Sequence, residues 1–341
     1  MNHVEFIRLL RILGVAVFSV CTMPCIAEPV LQSAVEPASE QARYISTLWS
    51  IMFWVAVSVF VGVMTVLVLG LVTGNRQSNK LLTYNQSRNL VLVAGVAIPF
   101  FVIAFLVGGS LFVGQKLTAE PPENALRIRV TGWMWWWQID YLDESGRVIA
   151  TTANEMHVPV GRATHLSLES ADVIHSFWVP QLQGKTDMIP GRTNHSWFVP
   201  SKPGTFRGQC AEFCGTQHAL MSFLVIAQPP EQFQKWLKNQ MSPAAQADTP
   251  AQQKGKQVFM SHGCKDCHTL RGTKANGKRG PDLTHFASRK TLAGVTRDNT
   301  RGHLAGWISD PQSLKRAAKM PPTQMNSEAL IALVDYLESL N

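Results

Sequence analysis

The chain has 341 residues, enough for two or three domains that each bury a core, so one fold is not expected to account for all of it. Its formal net charge of +8 would suit a nucleic-acid-binding protein, but the charge is unevenly placed. From Thr249 onward 14 Lys and Arg stand against 7 Asp and Glu, whereas Ala119 to Gln240 has 10 against 11. Because no nucleic-acid motif accompanies the basic residues, the pattern favours pairing with a protein or a membrane surface.

The first 27 residues are typical of a secretory leader. An apolar run from Ile12 to Val20 follows basic residues, and a small-residue site ends at Ala27. We therefore predict a signal peptide at 1–27 and an exported mature chain. An uncleaved anchor is the alternative, because Pro24 and Cys25 make an atypical cleavage region.

Two long uncharged stretches, Ile45 to Gly74 and Asn89 to Gln115, come next. A helix needs roughly 20 apolar residues to cross a bilayer, so both predict membrane spans within an N-terminal region 28–118. Buried core helices are the alternative. The loop between the stretches carries three basic residues and no acid. The positive-inside rule places this loop in the cytoplasm and everything after the second span outside a bacterial inner membrane, on the periplasmic side.

Residues 119–240 change to short β-rich runs broken by Gly, Pro, Asp and Asn, which predicts an all-β sandwich or barrel. The runs are Leu126 to Val130, Ala163 to Glu169, Thr193 to Val199 and Met221 to Ala227. Residues 241–250, rich in Ala, Pro and Gln, are typical of a flexible linker. The remainder, 251–341, ends in apolar residues at helical spacing after a cap at Asn326 or Ser327, which predicts a small all-α domain.

A haem-attachment motif lies in this last domain. Cys264, Cys267 and His268 form C-x-x-C-H, in which two thiols bond the haem vinyl groups and the histidine is held against the iron. In an exported chain this predicts one covalent haem c, whereas a zinc half-site or a redox pair would suit a cytosolic chain. Met320, with two prolines after it, offers a sixth ligand that raises the haem potential. Met325 is the alternative ligand.

A second set of soft ligands enters the last predicted strand. Its residues are Cys210, Glu212, Cys214, His218 and Met221, in the pattern C-x-E-x-C-x-x-x-H-x-x-M, with His175 lying 35 residues before Cys210. Two thiolates, two imidazoles and a thioether favour copper, because zinc has little use for methionine. A structural zinc loop and a C-x-x-x-C disulfide are the alternatives.

These motifs resemble those of cytochrome c oxidase subunit II from Tyr44 to Leu237, followed by a fused class I cytochrome c domain. The resemblance implies a two-helix transmembrane hairpin, a cupredoxin-like Greek-key barrel and the binuclear centre CuA, in which both cysteine sulfurs bridge two copper ions. The implied copper ligands are His175, Cys210, Cys214, His218, Met221 and the backbone carbonyl of Glu212. The Glu212 side chain would point toward a magnesium ion shared with subunit I; a solvated acid is the alternative.

The run from Trp133 to Trp137 resembles the family's aromatic segment beside the copper site. Aligning Gly132 with the glycine that opens that segment makes Trp135 the exposed residue through which electrons enter. Core or membrane-interface tryptophans are the alternative. One departure concerns protons. Many members carry a glutamate near the cytoplasmic end of the second span, but Asn89 to Gln115 has no carboxylate, so other groups would have to organise proton entry through this subunit.

The resemblance implies an electron-entry subunit. A cytochrome c or an upstream respiratory complex would reduce the haem, the haem would reduce CuA, and CuA would pass the electron to haem in subunit I, where dioxygen is reduced with proton pumping. The same relay serving a nitric oxide reductase is the alternative. A quinol oxidase subunit II lacks the copper ligands present here, and a copper-delivery protein would not need a covalent haem. The expected partners are subunit I, the other oxidase subunits, the donor and the lipid bilayer.

Overall fold

The computed structural model describes residues 32–73 and 83–341. The predicted signal peptide and the basic residues Arg76 and Lys80 lie outside those ranges.

Two helical segments are long and apolar enough to cross a membrane. Helix α1 is Glu40–Thr73; the second segment consists of α2 (Tyr84–Leu92), a π-helical turn (Val93–Ala97) and α3 (Ile98–Leu117). The most apolar 18-residue stretch has a mean hydropathy of 2.6 in the first segment and 3.0 in the second, and no residue of either stretch is buried. Pro99 accounts for the π turn, because it lacks an N–H and its ring would clash with the carbonyl four residues earlier in a regular α-helix. Both predicted membrane spans therefore correspond to helical segments whose length and composition suit a bilayer.

Residues 119–240, called here the copper domain, contain two five-stranded sheets. Their strand orders are β3-β2-β1-β5-β8 and β4-β10-β9-β6-β7. The strands are β1 (Leu126–Trp133), β2 (Trp136–Leu142), β3 (Val148–Ala153), β4 (Glu155–Pro159), β5 (Thr164–Ser170), β6 (His175–Trp178), β7 (Thr186–Met188), β8 (Asn194–Phe198), β9 (Gly204–Cys210) and β10 (Ser222–Gln228). Alternate residues point inward along β1 and β9, and fully buried aromatic side chains such as Trp137, Tyr141 and Phe223 fill the space between the sheets. The predicted all-β, cupredoxin-like fold is confirmed.

The segment before α1 packs on the copper domain. Ala38 is fully buried in the core of that domain, its amide donates to the carbonyl of Gln181 at 2.8 Å, and its carbonyl accepts from Ser201 at 2.8 Å. Ile45, near the start of α1, lies against Gly184. Residues just before and at the start of the first span therefore hold the copper domain at that end of the helix.

Residues 251–341, called here the cytochrome domain, are mainly helical. After α4 (Pro230–Gln240), which closes the copper domain, come α5 (Pro250–Ser261), the short hairpin β11 (Thr291–Leu292) and β12 (Arg297–Asp298), α6 (Arg301–Ser309), α7 (Pro311–Leu314) and α8 (Ser327–Glu338). Asn326 caps α8 as predicted, because its side chain accepts from the amide of Ala329. The first and last helices cross at Gly255, where a Cβ atom would lie 1.9 Å from the carbonyl oxygen of Ala332, so only glycine permits the approach.

Residues 241–250, the predicted linker, run along the cytochrome domain. The amide of Ala244 donates to the carbonyl of Arg271 at 2.9 Å. The carbonyl of Ser242 accepts from His285 Nε2 at 3.1 Å, and the Arg271 guanidinium donates to the carbonyl of Gln240.

Candidate copper and haem sites

The soft side chains of the copper domain meet where β6, β9 and β10 lie side by side. Cys210 ends β9, and its amide donates to the carbonyl of Met221 at 2.9 Å, which brings the two ends of the ligand loop together. In the neighbouring strand β6, Phe177 pairs with Cys210, and this places His175 beside the loop. The five predicted ligand side chains are therefore gathered by strand pairing, although His175 is far from the others in sequence.

The distances within this cluster are short. Cys210 Sγ lies 3.7 Å from Cys214 Sγ and 3.8 Å from His175 Nδ1. Cys214 Sγ lies 3.6 Å from His218 Nδ1 and 3.7 Å from Met221 Sδ. Each sulfur thus has an imidazole beside it. Because an S–S bond is about 2.05 Å, the two thiols are free and the disulfide alternative is wrong.

Glu212 contributes two different groups. Its backbone carbonyl lies 3.1 Å from Cys210 Sγ, inside the cluster. Its carboxylate points away and lies 3.4 Å from the ammonium of Lys185, which also contacts Asp187 at 3.1 Å. The carbonyl therefore belongs to the sulfur cluster, whereas the carboxylate is in a surface ion-pair group.

The electrostatics of the cluster favour thiolate chemistry. The hydrogen bond from Cys214 lowers the pKa of Cys210 to about 3, and the close thiolate in turn raises the pKa of Cys214. Two sulfurs, two imidazole nitrogens and a thioether are the donors that copper accepts, and the thioether in particular suits copper better than zinc. Among the described residues, this is the group that could hold a metal ion.

Asp172 orients His175. Its carboxylate lies 2.9 Å from His175 Nε2 and accepts from the amide of Met134 at 2.7 Å. Burial opposes ionisation of Asp172, but the hydrogen bonds from His175 and Met134 outweigh it and lower the pKa of this carboxyl to about 2. His175 therefore turns Nδ1 toward Cys210. Gly132 makes room for the ring, since a Cβ atom there would lie 2.8 Å from His175 Cδ2.

The C-x-x-C-H residues line a cavity of about 530 Å³, the size range of a cofactor pocket. Cys264, Cys267 and His268 line it together with Met320. His268 Nδ1 lies 2.8 Å from the carbonyl oxygen of Pro281, which can only accept, so Nδ1 carries the proton and Nε2 is left for a metal. The residues present thus fit a covalently attached haem.

The two candidate methionines are in different places. Met320 lines the cavity that contains His268, whereas Met325 packs against the apolar core of the cytochrome domain. Of the two, Met320 is therefore the one that shares the cavity with the C-x-x-C-H residues.

The environment of Trp135 differs from the predicted one. The residue was expected to be exposed, but only 9% of it is accessible, because the cytochrome domain lies over it: Lys315 Nζ donates to the Trp135 carbonyl at 2.7 Å. Its indole nitrogen donates to the carbonyl of Cys214 at 2.8 Å. Trp135 also lines the haem-sized cavity, together with the stacked pair Trp133 and Trp136. The copper domain thus supplies one wall of that cavity.

Several residues at the boundary between the two domains were not predicted from the sequence. Glu155 of β4 is 2% exposed and accepts hydrogen bonds from the amides of Lys290 and Thr291 at 3.0 and 2.8 Å. Lys315 is 3% exposed; burial lowers its pKa to about 7, and the sulfur of Cys214 opposes that shift. Asp172 could have been found from the sequence, because it lies three residues before the predicted ligand His175. Glu155 and Lys315 have no such motif beside them in the sequence.

Comparison with known proteins agrees with this arrangement. Residues 142–228 match the family described as "Cytochrome C oxidase subunit II, periplasmic domain", and residues 252–341 match "Cytochrome c". A protein of Alkalihalophilus pseudofirmus named cytochrome c oxidase subunit 2 is 32% identical over 338 residues, which is 97% of this chain and 96% of that protein. The chain belongs to the cytochrome c oxidase subunit 2 family. A relative of the same name from a Bacillus species is 30% identical and covers 74% of this chain and 71% of its own.

Among solved structures, the periplasmic domain of subunit II of cytochrome oxidase from Bradyrhizobium japonicum is 33% identical, covering 36% of this chain and 96% of that domain with a TM-score of 0.33. As a member of the subunit 2 family, the chain is a subunit of a cytochrome c oxidase. It combines two candidate membrane spans, a periplasmic copper domain of the subunit II kind and a cytochrome c domain, which implies haem c. The resemblance stated from the motifs is confirmed.

Proposed function

We propose that this chain is the electron-entry subunit of the oxidase. A soluble or membrane-bound cytochrome c, or an upstream respiratory complex, would deliver electrons to the cytochrome domain. From there they would cross the copper domain to haem in subunit I, where dioxygen is reduced to water with proton pumping. Both domains would lie on the periplasmic side of a bacterial inner membrane.

The side chains divide into two sets of ligands. His175, Cys210, Cys214, His218 and Met221, with the Glu212 carbonyl, would hold the two coppers of CuA. Cys264, Cys267, His268 and Met320 would hold the haem. When bound, each group supplies a reversible one-electron couple. The Glu212 carboxylate, released from Lys185, would reach a magnesium ion shared with subunit I.

One observation supports the relay above all others. Trp135 donates from its indole nitrogen to the copper-ligand loop and is one of the residues that line the haem-sized cavity. A single residue therefore contacts the copper-ligand loop and borders the cavity proposed for the haem. Fast electron transfer also needs ligands that move little, and the ligand loop is fixed by strand pairing and by the Asp172 contact to His175.

The test is metal analysis with electron paramagnetic resonance on the full chain, expressed with its catalytic subunit in a host that attaches haem c. The full chain is required because Ala38, ahead of the spans, belongs to the copper-domain core. We expect two coppers per haem c iron in this chain and hyperfine structure from one electron shared by both coppers. Cys214→Ser should abolish that signal and keep the haem.

Zinc in place of copper, or a single isolated copper, would contradict the relay. The rate of oxygen consumption compared with nitric oxide consumption by the same preparation identifies the terminal acceptor. Consumption of nitric oxide alone would assign the chain to the reductase.

A further inference from the structure

We propose that Lys315 is a positioning residue: it fastens the loop that carries Met320 to the copper-ligand loop, so that the copper domain helps to hold the sixth ligand of the haem in place. The inference rests on the proposed ligation by Met320. It concerns this loop, residues 315–320, called here the methionine loop.

Lys315 reaches across the domain boundary. Its ammonium donates to the carbonyls of Trp135 at 2.7 Å and Leu220 at 2.9 Å in the copper domain, and to that of Ala293 at 3.1 Å in its own domain. An ammonium has three N–H donors, and each here has an acceptor. A buried charge is costly unless it is fully hydrogen-bonded, so this geometry strongly favours a single position of the side chain. Leu220 directly precedes the predicted copper ligand Met221.

Two further contacts join the same two loops. Gln217, which precedes His218, donates from Nε2 to the carbonyl of Arg316 at 2.6 Å. Lys319, which precedes Met320, lies 3.6 Å from the carboxylate of Asp172. Residues along the methionine loop are therefore tied to neighbours of three predicted copper ligands.

Support from within the cytochrome domain comes from Gln312. Its Nε2 donates to the carbonyls of Ala318 at 2.8 Å and Met320 at 3.2 Å, and its Oε1 accepts from the amide of Ala317 at 2.8 Å. These bonds shape the loop, but they start from the four-residue helix α7, which ends at Leu314 next to Lys315. Loss of the Lys315 contacts should therefore loosen both the loop and the short helix.

The domain boundary offers a control for simple undocking. Glu155 joins the two domains through the amides of Lys290 and Thr291, which lie outside the methionine loop. Glu155→Gln should weaken the domain contact, whereas the carbonyls of Trp135 and Leu220 that accept from Lys315 lie on other segments of the copper domain. Lys254→Met is a matched lysine control, because Lys254 pairs with Glu328 on the surface of the cytochrome domain.

The experiment compares the full-length oxidase with its Lys315→Met, Gln217→Leu, Glu155→Gln and Lys254→Met variants. The readouts are the ferric-haem absorption band of the methionine–iron bond, the affinity of the haem for added imidazole, and hydrogen exchange of residues 312–323. For Lys315→Met we expect loss of much of the band, faster exchange, and imidazole affinity raised about tenfold, the worth of one buried charge-assisted hydrogen bond. Gln217→Leu should change all three in the same direction by less.

Glu155→Gln and Lys254→Met should match the parent in band and imidazole affinity. Parental exchange and imidazole affinity in Lys315→Met would overturn the proposal, as would equal effects of Glu155→Gln and Lys315→Met, which would indicate general undocking. If Lys315→Met does not accumulate, the same readouts are taken from Gln217→Leu, and parental exchange and imidazole affinity in that variant would overturn the proposal. Absence of the methionine band in the parent would instead refute ligation by Met320, while hydrogen exchange still tests whether Lys315 fixes the loop.

Discussion

The indole nitrogen of Trp135 donates a hydrogen bond to the backbone carbonyl of Cys214 at 2.8 Å. The same residue accepts, through its own carbonyl, a hydrogen bond from Lys315 of the cytochrome domain. Trp135 thus touches the copper-ligand loop with its side chain and the cytochrome domain with its backbone. Its burial follows from this double contact, since the two domains close over it.

Trp135→Phe should slow electron transfer between haem and copper without changing the copper content. Phenylalanine retains an aromatic ring but lacks the N–H that contacts Cys214. The variant should also lose about 1 kcal/mol of stability, the usual net worth of one hydrogen bond. Flash-induced reduction of the haem, followed by absorption changes of both centres in the full oxidase, measures the rate.

Trp136→Phe is the matched control for this rate. Trp136 lines the same cavity, but its ring stacks on that of Trp133 with the centroids 5.8 Å apart. The Trp136→Phe variant should therefore transfer electrons between haem and copper at close to the parent rate. Equal slowing in Trp136→Phe and Trp135→Phe would show that the aromatic wall as a whole matters, and not the contact with Cys214.

Met320→Leu should lower the haem potential, and Met325→Leu should not. A methionine sulfur raises the potential of a haem, and axial ligands cover a range of about 0.8 V, so a decrease of about 0.1 V or more is expected for Met320→Leu. Met325 packs in the apolar core, where leucine is a volume-conserving replacement that costs less than about 1.5 kcal/mol. Redox titration of both variants decides; a lowered potential only in Met325→Leu would reverse the assignment.

The fold was predictable wherever the sequence has a local signal. The apolar spans, the β-rich runs and the capped helix that starts at Ser327 all follow from composition and spacing. The ligand motifs were likewise visible, because metal and haem chemistry requires fixed spacings. What could not be predicted is the boundary between the domains. Lys315 contacts Trp135, which is 180 residues away in the sequence. From the sequence alone, a buried lysine cannot be distinguished from an ordinary surface lysine.

Gly132→Ala should disturb the copper centre. The added Cβ atom would lie 2.8 Å from His175 Cδ2, so the imidazole must shift away from Cys210 or from Asp172. We expect weaker copper retention during dialysis against a chelator and altered copper hyperfine structure.

Gly302→Ala serves as the control for this substitution. Gly302 lies in α6 with open space around its Cα, so alanine should leave the copper signal unchanged and add up to about 1 kcal/mol of helix stability. An unchanged copper signal in Gly132→Ala would mean that the His175 ring does not depend on this close approach.

The stability of the copper domain should fall between pH 6.5 and pH 4 because of His157. The ring stacks on Trp236 at a centroid distance of 4.1 Å; burial lowers its pKa to about 4, the hydrogen bond with Gln228 opposes the shift, and Lys290 adds to it. Because the folded-state pKa is below the unfolded value of 6.5, the unfolded state binds the proton first as the pH falls. The stabilisation is therefore complete above pH 6.5, is lost down to about pH 4, and changes no further below it.

The expected loss is roughly 2–3 kcal/mol. Urea unfolding of the full chain, followed by tryptophan fluorescence at pH 7 and pH 4.5, measures it. His157→Gln removes the titrating group and should flatten this part of the pH dependence. His303→Gln, in the cytochrome domain, should retain it. If His157→Gln keeps the full decrease in stability, other groups titrate in this range and the buried imidazole is not its source.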